Sequence, residues 1–288
     1  MKNKISNSAL DCYQLCPKKY EFQYVQRLKA DVTRTPLLFG SAIDSALNYI
    51  LESIRDKKEW NKEEAHKIFQ AKMEEWLKVR NQLDYFKNEC PAELQDSDPE
   101  DPDIQLCVWH NIVSRGHKCL DIYIYEVLPL IDEVLYVQNK FDIENEDGDV
   151  FTGVIDFIAK LKDGRVVLLD NKTTSAKYPK NKVVKSQQLS FYQDQFPDIS
   201  LCGYIVLIKN PEKEKGLQFQ ILIDEIPEST KEHSFKLLDE TMKKIKNKEF
   251  PCNPKGCKAF GKTCEYAAAC QWDDYSGLIS NKSVDKKE

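Results

Sequence analysis

The chain has 288 residues, 41% of them hydrophobic and 10% aromatic, so it can bury a sizeable core and is not an intrinsically disordered chain. Its 42 Lys and Arg against 47 Asp and Glu give a net charge of −5, which argues against a surface coated with positive charge for non-specific nucleic-acid binding but leaves room for a local basic groove. No apolar run approaches the ~20 residues needed to span a bilayer, and MKNKISNSALDCYQLCPKKY lacks the apolar segment of a secretory signal, so a cytoplasmic protein with no membrane attachment is expected.

In chain order, Ser8 followed by ALDCYQLC reads as a capped helix start. A second helix begins near Ser41, with Ile43, Leu47, Ile50 and Ile54 at helical spacing. Residues 60–88 are charged but periodic, hence helical. CPAELQDSDPEDPD (90–103) reads as an acidic, mobile loop, and helical pattern resumes over 104–127. The period then changes. Residues 133–143, 150–161 and 165–172 read as three strands separated by ENEDGD and KDG. SQQLSFYQDQF (186–196) reads as a helix, LCGYIVLIK and LQFQILIDEI as two strands, and 228–247 as a helix. The expected organisation is one α/β domain over 1–288. Within it, a helical elaboration covers about 48–128, a Cys-rich segment 250–272 and a flexible polar tail 277–288. Lysines cluster in KYPKNKVVK (177–185) and KKIKNK (243–248), each most simply a solvated surface.

The stretch VVLLDNKTTS (166–175) turns from aliphatic to charged within one strand. The strand before it, FTGVIDFIAKL, is joined to it by Lys162-Asp163-Gly164. A three-residue loop with Gly in the left-handed position is a common hairpin connection. That register sets Asp156 directly opposite Asp170, where Cβ atoms lie ~4.5–5.5 Å apart. Alternation puts Lys172 on the same face as Asp170, beside Val154, Ile158, Val166 and Leu168. Two close carboxylates against an apolar wall repel and are costly to desolvate. A divalent cation resolves both problems, and hard oxygens suit Mg²⁺ or Mn²⁺. A plain salt bridge from Lys172 to one Asp, with the other facing solvent, is the simpler alternative. The four histidines have no metal-like spacing, and no Gly-rich phosphate loop is present.

GVID (153–156) followed by LLDNK (168–172) resembles the PD-(D/E)XK nuclease signature, in the RecB-like version where a G-x-x-D strand precedes a D-x-K strand. QQLSFY places Gln188 and Tyr192 in the Q-x-x-x-Y spacing of that branch, four apart and on one helix face. SALDCYQLCPKKYEF resembles its opening helix. The resemblance runs from about residue 6 to 272. It implies a restriction-endonuclease-like core, a mixed central β-sheet flanked by helices in the order αβββαβ, with an N-terminal helical elaboration. It implies metal-assisted phosphodiester hydrolysis, with Mg²⁺ or Mn²⁺ on Asp156, Asp170 and the backbone carbonyl of Asn171. Lys172 would orient water or stabilise transition-state charge, and Gln188 and Tyr192 would position DNA. Where the branch has G-x-x-x-H, FGSAIDSAL gives Gly40 and Asp44, an acid that can ligate a hard cation or simply face solvent. Where a Glu often precedes the hairpin, LYVQNKF has Gln138.

Ten cysteines in a cytoplasmic chain suggest metal before disulfide. Cys90, Cys107, Cys119 and Cys202 are scattered. Cys257, Cys264 and Cys270, with Cys16 of LCPKKY, resemble the ligand set of iron–sulfur RecB-like nucleases, the AddB-like and CRISPR-adaptation enzymes, and imply a structural [4Fe–4S] cluster. Cys252 or Cys12 could serve as fourth ligand. A Cys₄ zinc site and unligated thiols are the other readings. The function implied is a metal-dependent DNA exonuclease or end-processing nuclease in recombination, repair or phage DNA metabolism. Its implied partners are linear DNA ends or single strands and recombination or helicase proteins. The other reading is a non-catalytic DNA-end or partner-binding module on the same fold.

Overall fold

The computed structural model describes residues 4–30, 35–79, 97–98, 101–145, 147–211, 216, 218–261 and 263–280. The expected acidic loop at 90–103 lies mostly outside them, as do Cys90, the helical reading of 80–88 and the end of the tail. The chain divides into two compact units. One comprises Met1–Val32, Lys140–Gly153 and Glu232–Glu288; the other comprises Thr33–Asn139 and Val154–Lys231.

The first unit opens with a strand the sequence did not announce, β1 (Lys4–Ser6), which pairs in parallel with Val150–Thr152. Helix α1 (Asn7–Leu15) follows. Its cap is Ser6, whose side chain accepts from the Ala9 N–H at 3.3 Å, so Ser8 sits inside the helix rather than at its start. Pro17 opens the short α2 (Pro17–Tyr20), where a missing N–H costs nothing. Strand β2 (Leu28–Ala30) pairs antiparallel with Leu278–Ser280, and so the chain from 277 begins as strand rather than as tail. Phe22 and Tyr266 stack at 5.6 Å and, with Ala269, form a small core of this unit.

The second unit carries the main sheet and three long helices: α3 (Thr35–Arg55), α4 (Lys62–Val79) and α5 (Pro102–Ile122). Helix α3 therefore begins six residues before Ser41. Its stripe of Phe39, Ile43, Leu47, Ile50 and Leu51 is buried with Phe69 and Met73 of α4 and Val108, Ile112 and Leu120 of α5. The same core takes in Phe157, Val167, Leu169, Ile205 and Leu207 from the strands.

The strands are β3 (Ile131–Glu144), β4 (Val150–Leu161), β5 (Val166–Thr174), β6 (Leu201–Ile208) and β7 (Phe219–Glu225). Helix α6 (Gln187–Asp194) lies between β5 and β6, and α7 (Glu228–Lys246) follows β7. Strand β4 lies beside β3 and β5, then come β6 and β7. The β4–β5 and β6–β7 pairs are antiparallel and β5–β6 is parallel, which makes the sheet mixed. The order three strands, helix, strand is the one expected. The β5–β6 crossover runs through α6, as parallel neighbours require.

Candidate active site

The β4–β5 loop is the expected three-residue one. Gly164 has φ +91, and its N–H bonds the Leu161 carbonyl at 2.9 Å. The observed pairs run from Lys160 with Val166 to Phe157 with Leu169, the register that sets Asp156 level with Asp170. The ladder stops one residue short of that level. There the Asp156 carboxylate replaces the strand partner, accepting the Asn171 N–H at 2.9 Å. On its other edge β5 stays paired with β6 through Thr174, with Asp170 opposite Tyr204 and Lys172 opposite Val206. The two carboxylates therefore stand where β4 and β5 part.

Gly153 of GVID has a packing reason. A Cβ there would come within 2.3 Å of the Phe141 ring, so a larger residue would force that ring to move.

Asp170 is as buried as the aliphatic residues before it, at 1% exposure. A carboxylate there must be paired. Lys172 places its Nζ on Oδ2, and Gln188 donates to Oδ1 at 2.9 Å. The same Gln188 amide donates to the Tyr192 hydroxyl at 2.7 Å. The structure thus joins the D-x-K strand and the Q-x-x-x-Y helix through one amide. Tyr192 is itself only 4% exposed, behind Gln188 rather than on open surface.

Asp44 arrives from α3. With Gly40, Ile43, Asn171, Lys172, Thr173 and Leu207 it lines a small pocket of about 170 Å³. Burial, and then repulsion from Asp170, push its carboxyl up to about 6, against the pull of Lys172. Burial also raises Asp156 well above the carboxylate range, with Asp170 and Asp44 adding to the effect. Asp170 is raised by burial and held down by Lys172. For Lys172, burial lowers the ammonium pKa, but Asp170 and Asp156 outweigh it and the net direction is up. Three carboxylates thus share one ammonium. One turn beyond Asp44, Asn48 accepts from the Gln138 amide at 3.2 Å. Gln138 holds φ +52 inside β3, an uncommon conformation for a residue with a side chain.

Several neighbours were not visible in the sequence. Tyr204 shares a 2.6 Å hydrogen bond with the Ser186 hydroxyl. Ser186 also caps α6, accepting from Leu189 N–H at 3.0 Å. The Lys172 Nζ lies 6.0 Å from the Tyr204 ring, and Tyr178 meets that ring edge-on at 5.7 Å. Tyr123, fully buried, has its phenol pKa raised by burial, with Asn171 countering and Asp156 and Asp44 adding.

The donor set of three carboxylates and a backbone carbonyl is the hard-oxygen chemistry that divalent cations prefer. Their positions are not those of a formed ion cage: among the described residues, no three His, Cys, Asp or Glu side chains are arranged to hold a metal. Lys172 and Gln188 take up the oxygens of Asp170 instead.

The same holds for the expected cysteine set, all of it in the first unit. The Cys16 sulfur accepts from Asn253 N–H at 3.4 Å, and Cys257 donates to the Asn253 carbonyl at 3.8 Å. The Cys270 and Cys252 sulfurs lie 3.4 Å apart, and Cys257 is also hydrogen-bonded to Cys252, the residue expected as an alternative fourth ligand to Cys16. Burial and then the bond to Cys252 push the Cys270 thiol up to about 11. Burial raises Cys12 to about 12.

A buried acid-x-Lys strand, an acid on the preceding strand and a glutamine on the following helix thus stand together on a mixed sheet. A profile of the PD-(D/E)XK nuclease superfamily matches residues 4–271, and the chain belongs to that family. No curated protein sequence matches it. Among solved structures it is similar to a protein from Eubacterium rectale described as a putative exonuclease, at 10% identity and TM-score 0.49, over 94% of this chain and 88% of that one. It is also similar to SSO0001, at 16% identity and TM-score 0.36, over 70% of this chain and 93% of the other. Among the described residues no helix is long and apolar enough to cross a membrane.

Proposed function

We propose that this nuclease is a divalent-metal-dependent deoxyribonuclease of the RecB-like branch that hydrolyses phosphodiester bonds from DNA ends. The observation that carries the reading is Asp170, buried and held between Lys172 and Gln188 at the level of Asp156. A buried acid in that setting is poorly explained as structure alone. Replacing buried ion pairs with apolar residues is often neutral or stabilising. When bound by Asp44, Asp156, Asp170 and the Asn171 carbonyl, Mg²⁺ or Mn²⁺ would supply Lewis-acid charge at the scissile phosphate and lower the pKa of the attacking water. Gln188 fixes the Asp170 carboxylate, and Tyr192 fixes Gln188. Asp156 holds the β5 backbone at Asn171, which sets the direction of its carbonyl. Lys172 contributes the site's ammonium, which can pair with a phosphate oxygen as negative charge develops.

The thiols at Cys16, Cys252, Cys257, Cys264 and Cys270 support a second element of the reading, a structural soft-metal centre, as [4Fe–4S] or zinc. Its test is the iron, sulfide and zinc content of anaerobically purified protein.

The test of activity is incubation with end-labelled linear and closed circular DNA, with Mn²⁺, Mg²⁺ or chelator. Linear DNA should be degraded only with metal, and circular DNA spared. Asp170→Ala should remove cleavage while circular dichroism stays native. Cleavage by that variant at the wild-type rate would sink the assignment. Metal-independent DNA binding without cleavage would favour a binding module. Recombination or helicase partners are a further part of the proposal, open to co-purification.

A further inference from the structure

The connection from β5 to α6 carries a run of charge that the chemistry above does not use. Between Asp170 and Asp194 the chain has five lysines and no acid, although its net charge is −5. Lys172 belongs to the site. Lys177, Lys180, Lys182 and Lys185 follow it, all exposed. Lys182 holds its Nζ 5.4 Å from the centre of the Tyr178 ring, a cation–π contact. The side chains of Lys177, Lys180 and Lys185 make no ion pair or hydrogen bond with any described residue.

This connection stands on the face of the sheet that carries the acids. Tyr204 is the partner of Asp170 across the parallel β5–β6 ladder, so the two side chains project to the same side. The Tyr204 ring has the Lys172 Nζ at 6.0 Å and the Tyr178 ring edge-on at 5.7 Å. Lys172, Tyr204, Tyr178 and Lys182 thus form one continuous row. The backbone beneath the lysines is pinned. Gln220 accepts the Tyr178 N–H at 2.7 Å and donates to the Tyr178 carbonyl at 3.4 Å. Val183 is buried, and the Thr230 hydroxyl donates to the Val184 carbonyl at 3.0 Å. Cations on a held backbone lose less freedom on binding than cations on a loose one.

Charge decides what such a ledge holds. At the site three carboxyl groups share one ammonium, which offers a polyanion no excess of positive charge. Attraction for a phosphate backbone must come from cations beside the site. Each step of the row from Lys172 to Lys182 is shorter than the screening length of about 10 Å at 0.1 M salt. We propose that this lysine ledge holds the phosphodiester backbone of the DNA strand whose scissile bond lies at Asp170 and Lys172. The proposal rests on the nuclease reading. The Tyr178 ring is already engaged by Lys182 and Tyr204, so the ledge grips phosphates rather than stacking bases. Such contacts position a strand without reading its sequence.

The test uses the full chain with chelator present, so that nothing is cut. Fluorescence anisotropy of a labelled single-stranded DNA oligonucleotide is read at several salt concentrations. Lys177→Gln, Lys180→Gln and Lys185→Gln are combined in one variant, which removes three cations and no internal contact. Each lost phosphate contact lowers the salt slope by about 0.7, so this variant should lose about 2 of slope and about tenfold or more in affinity at low salt. The same three positions changed to Arg keep the charge and should bind within about twofold of wild type. Lys58→Gln, Lys67→Gln and Lys72→Gln together make the same change of charge on lysines outside the ledge, and should also stay within about twofold. Wild-type affinity and slope in the ledge Gln variant would overturn the proposal. So would an equal loss in the Arg variant or in the distant control, or no binding by wild type. Failure of the nuclease reading shows separately, as lysine-dependent binding with no cleavage by wild type in any divalent cation.

Discussion

Asp44 offers the sharpest test of the site's electrostatics. Its carboxyl is raised from 3.8 to about 6, first by burial and then by Asp170. A carboxylate raised in this way binds its proton more tightly folded than unfolded. Its protonated form is accommodated at low pH, and stability is lost as pH rises through about 6. At about 1.4 kcal/mol per pH unit, the gap between 3.8 and about 6 costs about 3 kcal/mol above pH 7. Asp44→Asn removes the charge and keeps the shape. In chelator it should therefore be more stable than wild type by up to about 3 kcal/mol at pH 7.5, and nearly equal to it at pH 4. Urea unfolding at the two pH values measures this. Because Asp44 also raises Asp156, the variant should let Asp156 ionise at lower pH. The same substitution should reduce metal-dependent cleavage, as expected where a site is built from mutually repelling groups. A gain of equal size at both pH values, or none at pH 7.5, would refute the reasoning.

Lys172→Met leaves the buried Asp170 carboxylate without its ammonium, and loss of one partner from a buried pair costs about 3–5 kcal/mol. Urea unfolding at pH 7.5 should show this loss, and it should shrink as the pH falls and Asp170 takes up a proton. Ser186→Ala removes both the cap of α6 and the partner of the Tyr204 hydroxyl. The cap alone is worth about 1 kcal/mol and an orphaned buried hydroxyl about 1–3 kcal/mol, so a loss of about 2–4 kcal/mol should appear in the same measurement. Added Mn²⁺ at about 100 times its Kd should stabilise the protein by about 2.7 kcal/mol. Differential scanning calorimetry should show a higher Tm, reversed by chelator and absent in Asp170→Ala.

What could be read in advance was what the chain specifies locally. The hairpin register follows from three loop residues and a glycine at φ +91, so the Asp156–Asp170 level and the shared face of Lys172 needed no structure. The alignment of Gln188 with Tyr192 followed likewise from helical spacing. The hidden part is non-local. Tyr204 stands beside Asp170 only because β5 and β6 pair in parallel across a helical crossover, and no short-range pattern sets that register. Ser186 read as an ordinary first residue of α6, and its second role at the Tyr204 hydroxyl depends on that pairing. Strands β1, β2 and β8 (Leu278–Ser280) have three residues each, too few to show a period. Cys252, expected only as an alternative to Cys16, reaches Cys270 through the fold of a segment with little regular structure, so spacing alone did not rank it above Cys16. The motif residues could be named from the sequence because each needs only its own strand or helix. Whether they form a working site depends on the contacts between elements, and Gln188 is the clearest case: it was expected to position DNA, yet in the structure its amide binds Asp170 and Tyr192. Removing that amide should therefore disturb the Asp170 carboxylate before it disturbs any contact with substrate.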